Sequence, residues 1–327
     1  MTSAPTYSVL LPFFNHRATL GEAIESVLAQ TCESWELIAI DDGSEDGSSE
    51  VAARLAAADP RIRILRRPNG GAAPARNSGL AIARAPFCAL LDADDLWLPA
   101  KLERQLPLLR DDTVVFSDAY VEEDGQRFRY GRRVDLPDGV YPRGAVFAEL
   151  LHHNFIPSHL TAVVPTEWLR SVGGWDDTLP PPRSSDWDLW LRLALAGVRF
   201  DYVAEPMAVY RVRAGTLSQD GEGMRRCAVV ILRNLRDRAT GPQRTAVERR
   251  LRVADRELEV FLRKRAWLAA SAGDVAAARR DLLASREANP RSARAIAGRL
   301  LALAPRLLES YARRKLPISF EGKFVRH

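Results

Sequence analysis

The sequence predicts an α/β protein: a Rossmann-like mixed sheet with helices on both faces, followed by an α-helical C-terminal extension. Three observations carry this. Short apolar runs alternate with segments of helical spacing through the first hundred residues. Polar residues gather where those apolar runs end, and both pattern and charge change near residue 220. A chain of 327 residues is long enough for one large domain with an extension.

Residues 7–11 (YSVLL) read as a short buried strand, and residues 18–30 place Leu20, Ile24, Val27 and Leu28 at helical spacing. Strand-like 37–40 precedes helix-like 48–58, 62–65 precedes 74–84, and 87–91 is a fourth strand. Strands alternating with helices of this length imply βαβ units and a parallel sheet. Between 114 and 141 the periodicity loosens around Gly125 and Gly139, which predicts hairpins or mixed pairing. Residues 186–196 form an amphipathic helix with Leu189, Trp190, Leu193 and Ala194 as its apolar face. Beyond Ser218 come helical stripes: Met224, Ala228, Ile231, Leu232 and Leu235, then Val247, Leu251, Ala254, Leu258, Phe261 and Leu262. The expected division is a first domain at 1–220 and a basic helical region at 221–327.

The net charge of +5 with a pI near 9.3 describes neither part. Residues 1–220 hold 22 Lys+Arg against 31 Asp+Glu, and residues 221–327 hold 25 against 11. The first part is therefore acidic by 9 and the second basic by 14. Basic residues in the tail lack aromatic interleaving and the front is acidic, so no nucleic acid is expected as partner. With 46% hydrophobic and 27% charged residues the chain is of ordinary globular composition, not disordered. No apolar run approaches the roughly 18–20 residues of a membrane span, and the N-terminal stretch lacks the basic region of a signal peptide. Cys32, Cys88 and Cys227 are odd in number and scattered. They make neither a disulfide framework nor a metal cluster and fit a reducing cytoplasm.

The chemistry sits at the strand ends. In open parallel sheets ligands bind beyond the carboxyl ends of the strands, and three of the first four ends are polar: Pro12–Asn15, Asp41-Asp42-Gly43-Ser44 and Asp92-Ala93-Asp94-Asp95. Hard carboxylate oxygens suit Mg²⁺ or Mn²⁺, which keep waters and bind substrate phosphates through one or two carboxylates. A solvated turn or a helix cap accounts for the same acids without a ligand. The position after a buried strand, with a second acidic end nearby, favours the ligand. No phosphate loop and no G-x-G-x-x-G after the first strand occurs, which removes P-loop NTPases and nicotinamide dehydrogenases.

The segments VLLPFFNHRATLGEAIESVLAQT, WELIAIDDGSEDGS, RPNGGAAPARNSGLAIA and FCALLDADDLWLPAKLERQL, followed by LRSVGGWDDTLPPPRSSDWDLWLRLALAG and VYRVRAGTLS, resemble in order the inverting glycosyltransferases of family 2. The resemblance covers residues 6–220 and implies the GT-A fold of nucleotide-diphospho-sugar transferases. It implies that Pro12, Phe13 and Asn15 line a nucleotide pocket, that Asp42 hydrogen-bonds the base, and that Arg76 lies near the nucleotide. Asp92 would hold the ribose or a metal-bound water, Asp94 a divalent cation (Mn²⁺ or Mg²⁺) on the diphosphate, and Asp186 would be the general base. Two departures stand out. Ser185 replaces the Glu that often precedes the base, with Asp188 as the fallback, and Arg213 stands where a metal-binding histidine often follows the Tyr-Arg pair. Arginine cannot ligate a cation but can hold phosphate oxygens, so Arg213 with Arg211 is expected to support the diphosphate.

These residues imply an inverting glycosyltransferase that moves a sugar from a nucleotide diphosphate sugar to a hydroxyl of a glycan or lipid-linked acceptor. The alternative is a catalytically silent sugar-nucleotide-binding protein whose tail recruits partners. A sugar-nucleotide pyrophosphorylase would need a Gly-rich basic loop near the first strand, and PFFNHRAT does not supply one. In the tail, Gly273, Ala278, Leu282 and Pro290 fall at offsets resembling half of one tetratricopeptide repeat, which would dock on the first domain or on another subunit of a homo-oligomer. Ile296, Leu300, Leu303, Leu307 and Leu308 alternate with Arg291, Arg294, Arg299, Arg306, Arg313, Arg314 and Lys315. That pattern fits either a solvated basic face or peripheral contact with anionic lipid. The expected location is the cytoplasm or the inner face of its membrane.

Overall fold

The computed structural model describes residues 4–132, 140–180, 185–213, 220–290 and 292. They fall into two compact units, one built on a sheet and one of helices alone. The tail residues from Arg291 to Lys315 named above lie outside the described residues, as does His327.

The first unit opens with β1 (Tyr7–Phe13), α1 (Leu20–Leu28), β2 (Trp35–Asp41), α2 (Ser48–Ala58), β3 (Ile62–Arg66), α3 (Ala72–Ile82) and β4 (Phe87–Leu90). Every residue of β1 and β2 is buried. Such strands are apolar on both faces because helices cover both. α1 turns Leu20, Ala23, Ile24 and Val27 inward, so its 3.6-residue period matches the buried stripe. β1 lies parallel between β2, from Tyr7↔Trp35 to Phe13↔Asp41, and β4, from Tyr7↔Phe87 to Leu10↔Leu90. That shared direction brings the carboxyl ends of all three strands to one edge.

The rest of the sheet comes from β5 (Leu96–Trp97), α4 (Lys101–Gln105), β6 (Thr113–Glu123), β7 (Gln126–Arg129), α5 (Phe147–His152), β8 (Val163–Pro165), α6 (Thr166–Ser171), α7 (Ser185–Leu195) and β9 (Arg199–Arg211). Strand order is β3-β2-β1-β4-β8-β6-β9-β5, with β7 paired to β6. β8 runs antiparallel to both β4 and β6, while β6 and β9 run parallel with a register shift after Ser117. The sheet is therefore mixed, and the hairpin expected after residue 114 is β6–β7. The thirteen-residue β9 has no counterpart in the apolar pattern, because its burial comes from pairing along β6 rather than from alternation.

α7 departs from the amphipathic helix expected of its sequence. Asp188 and Arg192 are buried along with the apolar face, joined at 2.6 Å, and Arg192 Nη1 donates to the Val172 carbonyl at 2.9 Å. A helix buried on its polar side needs such internal pairing, since an unpaired charge there would be costly.

The second unit contains α8 (Gly221–Arg238), α9 (Gly241–Ser271) and α10 (Val275–Ala288). Ile231, Leu232 and Leu235 of α8 are buried as expected, with Cys227 rather than Met224 and Ala228 completing the stripe. Ala266 and Ala270 of α9 pack with Ala278 and Leu282 of α10. Arg265 of α9 grips the Asp281 carboxylate of α10 with two bonds of 2.6 Å and also reaches Glu222 of α8. No helix among the described residues is long and apolar enough to cross a membrane.

One buried cation has no acid for a partner among the described residues. Lys101 is fully buried, 2.8 Å from Gln105 Oε1 and 4.3 Å above the Trp97 ring. Burial lowers its pKa from 10.5 to about 7. Between those values the unfolded chain binds a proton that the folded chain lacks, so stability rises with pH across that window. Lys101→Met should stabilise the protein by about 2 kcal/mol near pH 7, and the gain should shrink towards pH 10. Urea unfolding at pH 7, 8.5 and 10 measures both.

Candidate active site

The carboxyl ends of β1 and β2 are stitched together by polar groups. Asp41 Oδ1 accepts from the Ser44 N–H at 2.8 Å, and Ser44 Oγ accepts from the Asn15 N–H at 3.1 Å. Asn15 sits at a φ of 57°, exposed, with Oδ1 accepting from the Glu45 N–H at 2.9 Å. Pro12 and Phe13 are buried, and the Phe13 carbonyl accepts from the Asp42 N–H at 2.9 Å. The Asp42 carboxylate is bonded to Arg67 and accepts from the N–H groups of Gly70 (3.1 Å) and Gly71 (2.6 Å). Gly71 precedes α3, so an anion here also meets the positive end of that helix.

Beyond β4, Asp92, Asp94 and Asp95 crowd three carboxylates into four residues. Each has a different electrostatic fate. Burial pushes Asp92 up, but the charge and hydrogen bond of Arg76, with help from His159 and His16, bring it below the ordinary carboxylate value. Burial and then the Asp92 charge raise Asp94, against smaller opposing effects of His16 and Arg213. Asp95 is almost wholly buried and raised well above the usual value by desolvation, then by Asp94 and Asp92. Its Oδ1 accepts from the Arg211 N–H at 2.8 Å, which ties the acidic turn to the end of β9.

The third part of the site lies around α7. Asp186 Oδ1 accepts from the Trp187 N–H at 2.8 Å and Oδ2 from Asn154 Nδ2 at 3.1 Å. Burial raises its pKa above the ordinary value, opposed by those bonds and by Arg76. The fallback base, Asp188, is tied to Arg192. Trp175 and Trp187 are both buried, as core tryptophans are, and Trp187 Nε1 donates to the Leu150 carbonyl at 2.7 Å. His159 is buried too, while His152 and His153 are exposed.

Arg76 thus binds Asp92 and also acts electrostatically on Asp186, Asp92 acts on Asp94, and the Arg213 charge acts on Asp94. Arg76 is buried, and its charge lowers the proton affinity of both Asp92 and Asp186. Arg211 contributes its main chain, whereas its guanidinium turns away to Glu22 at 2.6 Å. Asn15 and Asp42, expected near a nucleotide, are bonded to the loops after β2 and β3 respectively. Sequence reasoning missed Arg67 and Asn154, and gave no site role to Asp95, which it read as part of the acidic turn, or to His16, which has no ligand spacing. Asp95 and Arg67 stand inside quoted motifs, as the last acid of DADD and the arginine of RPNGG, but their partners lie 116 and 25 residues away. A cleft of about 280 Å³ lined by Arg110, Arg143, Arg199 and Asp201 opens at the opposite end of β6 and β9, and none of the predicted site residues lines it.

The acidic turn suits a hard divalent cation. Its two half-buried carboxylates are hard oxygen donors, and the Asp92 charge, after burial, raises the proton affinity of Asp94. Among the described residues no three His, Cys, Asp or Glu side chains gather as a ligand set. A cation here would take its remaining ligands from water and phosphate, as Mg²⁺ and Mn²⁺ do.

A profile described as Glycosyl transferase family 2 matches residues 8–172. The putative glycosyltransferase EpsE of Bacillus subtilis (strain 168) is 33% identical over 222 residues, covering 65% of this chain and 74% of EpsE. An uncharacterized glycosyltransferase of Rickettsia bellii (strain RML369-C) is 30% identical over 206 residues, which are 61% of this chain and 29% of that protein's length. Among solved structures, mannosyltransferase PcManGT of Pyrobaculum calidifontis, in complex with GDP-Man and Mn²⁺, aligns with a TM-score of 0.58 at 19% identity. That alignment covers 95% of this chain and 85% of the other, and at such identity it speaks for the fold alone: the GT-A fold expected from the motifs.

The Arg76–Asp92 pair makes a stability prediction of its own. Removing one member of a largely buried pair leaves the other charge uncompensated. Arg76→Met should therefore cost about 2 kcal/mol at pH 7, less than a fully buried pair because Asp92 keeps some water contact. A depressed carboxylate contributes stability that is complete above its unfolded value and is lost as pH falls through the lower folded value, so the gap seen at pH 7 should narrow only below about pH 4, as at pH 3. Paired urea titrations at the two pH values measure it.

Proposed function

The chain belongs to glycosyl transferase family 2, and from that premise we propose that it transfers a sugar, with inversion, from a nucleotide diphosphate sugar to a hydroxyl of a glycan or lipid-linked acceptor. The observation that carries this reading is the placement of Asp186. Its carboxylate is held by the Asn154 amide and the Trp187 N–H, and Arg76 reaches it as well as the acidic strand end. A base on one side of the reacting carbon and a leaving-group site on the other is the arrangement that one-step displacement requires.

In this reading the nucleotide lies against the ends of β1 and β2, with Pro12, Phe13, Asn15 and Asp42 around it. The diphosphate lies towards Asp92 and Asp94, and Arg213 and Arg76 supply positive charge. A divalent cation bound by Asp94, with Asp92, would neutralise charge growing on the departing diphosphate. Asp186 takes the proton of the acceptor hydroxyl as that oxygen attacks the anomeric carbon, and the raised proton affinity makes it a better base than an exposed carboxylate. The catalytic domain is residues 1–220, and the basic helical region at 221–327 brings the enzyme to a partner or to an anionic membrane surface. PcManGT, in complex with GDP-Man and Mn²⁺, supports a nucleotide-sugar donor and a divalent cation.

Release of nucleoside diphosphate from a panel of UDP-, GDP- and dTDP-sugars, with Mn²⁺ and a glycan acceptor, tests the reading. Asp186→Asn should lower kcat by about 10²–10⁴-fold, the range of general-base contributions. Rate should fall on the acid side with an apparent pKa above that of an ordinary carboxylate, because Asp186 must be ionised to act. Equal rates with Mn²⁺ and with saturating EDTA would remove the cation. Unchanged rates in Arg213→Ala would remove the arginine, and donor binding without turnover would leave a silent binding protein.

A further inference from the structure

Asn77 follows Arg76 on α3 and takes no part in the reading above. Its side-chain amide grips the main chain of one residue on both sides. Nδ2 donates to the Trp175 carbonyl at 2.8 Å, and Oδ1 accepts from the Trp175 N–H at 2.8 Å. The approach needs the glycine before it: Gly174 has a φ of +67°, and a Cβ there would overlap Asn77 Oδ1. A donor and an acceptor used together on the N–H and C=O of one residue, which belong to the peptide groups on either side of its Cα, fix orientation as well as distance. Aspartate lacks the donor and glutamine is one carbon longer.

Trp175, so held, touches both halves of the site. Its ring lies beneath the Arg76 guanidinium, 6.0 Å from centroid to Cζ, and Arg76 binds Asp92. Its indole N–H donates to His159 Nε2 at 2.9 Å, which makes that nitrogen an acceptor. Burial, then the Arg76 charge, hold His159 neutral with a pKa near 3. The imidazole in turn packs 5.8 Å from the Trp190 ring on α7, the helix whose first turn carries Asp186. A continuous set of packed and hydrogen-bonded groups therefore runs from α3 to α7 through Trp175.

We infer that Asn77 is a positioning residue for the transfer reaction, holding Trp175 so that Arg76 stays on Asp92 at the donor side and α7 keeps Asp186 in place at the acceptor side. This rests on the proposed function. A base displaced by about 1 Å can lose on the order of 10²-fold in rate while the donor still binds, so the loss belongs in kcat rather than in the donor KM.

The test uses the full chain with Asn77→Asp, which keeps one bond and loses the other, Asn77→Ala, which loses both, and Gly174→Ala, which forces Oδ1 off the peptide. Circular dichroism melting selects the variants that fold. For the donor that wild type turns over, kcat should fall at least tenfold with KM within threefold. In ¹H–¹⁵N spectra the indole signals of Trp175 and Trp190, assigned with Trp175→Phe and Trp190→Phe, should both move. Unchanged kcat, a rise in KM at unchanged kcat, or an unmoved Trp190 signal in the folded variants would overturn the inference while leaving the glycosyltransferase reading intact. A wild type that releases no nucleoside diphosphate from any donor would take down that reading and this inference with it.

Discussion

Three carboxylates at the end of β4 impose the constraint around which the first unit is arranged. Asp95 is buried and Asp92 and Asp94 are half-buried, and desolvation followed by repulsion from the neighbouring acids raises the proton affinity of Asp94 and Asp95. Such a turn persists only if positive charge and N–H groups are brought to it. Arg76 supplies the charge and the Arg211 N–H the hydrogen bond. Each supplier makes its own demand. Arg76 is on α3, which packs so closely on the sheet that a Cβ on Gly79 would come within 2.8 Å of Ile40. Arg211 ends β9, whose Val209 and Ala208 pair with β5 immediately after the acids. The path of the chain around the acidic turn is in large part the path that compensates it.

The same economy of charge shows at Asp41, Asp42 and Asp188. Asp41 is consumed by Ser44 and Ser49, Asp42 by Arg67 and two glycine N–H groups, and Asp188 by Arg192. Asp186 is held by an amide and a single N–H, with no ion pair among the described residues, and burial raises its proton affinity above that of an ordinary carboxylate. Environment, not residue type, separates a structural carboxylate from a candidate base.

In the helical unit arginine does structural duty. Arg265 pairs with Asp281 and Glu222, Arg263 with Glu259, and Arg226 with Glu222. The acids Asp281 and Glu259 in these pairs are buried, and the pairs offset part of the positive excess seen in composition. Any lipid or partner contact by the basic region is then better sought in arginines outside these pairs. Mean charge conceals this as thoroughly as it conceals the acidic first domain.

The parallel front of the sheet, its polar edge, and the pair Asp92 and Asp94 were legible because each is a short-range pattern. An apolar run buries itself wherever it goes, and a DADD at its end must emerge at a strand terminus. The order of motifs marked the family, and with it Asp186. β9, the burial of Asp188 and Lys101, and the partners of Asp42 and Asp95 were not legible, since each depends on residues far away in the chain. Asn77 and Trp175 meet across 98 residues. The sequence by itself determined which residues could be buried, charged or reactive, since those are properties of side chains and their neighbours. Only the tertiary structure decided which charges are neutralised and which remain available, because a carboxylate's proton affinity depends on the groups folded against it.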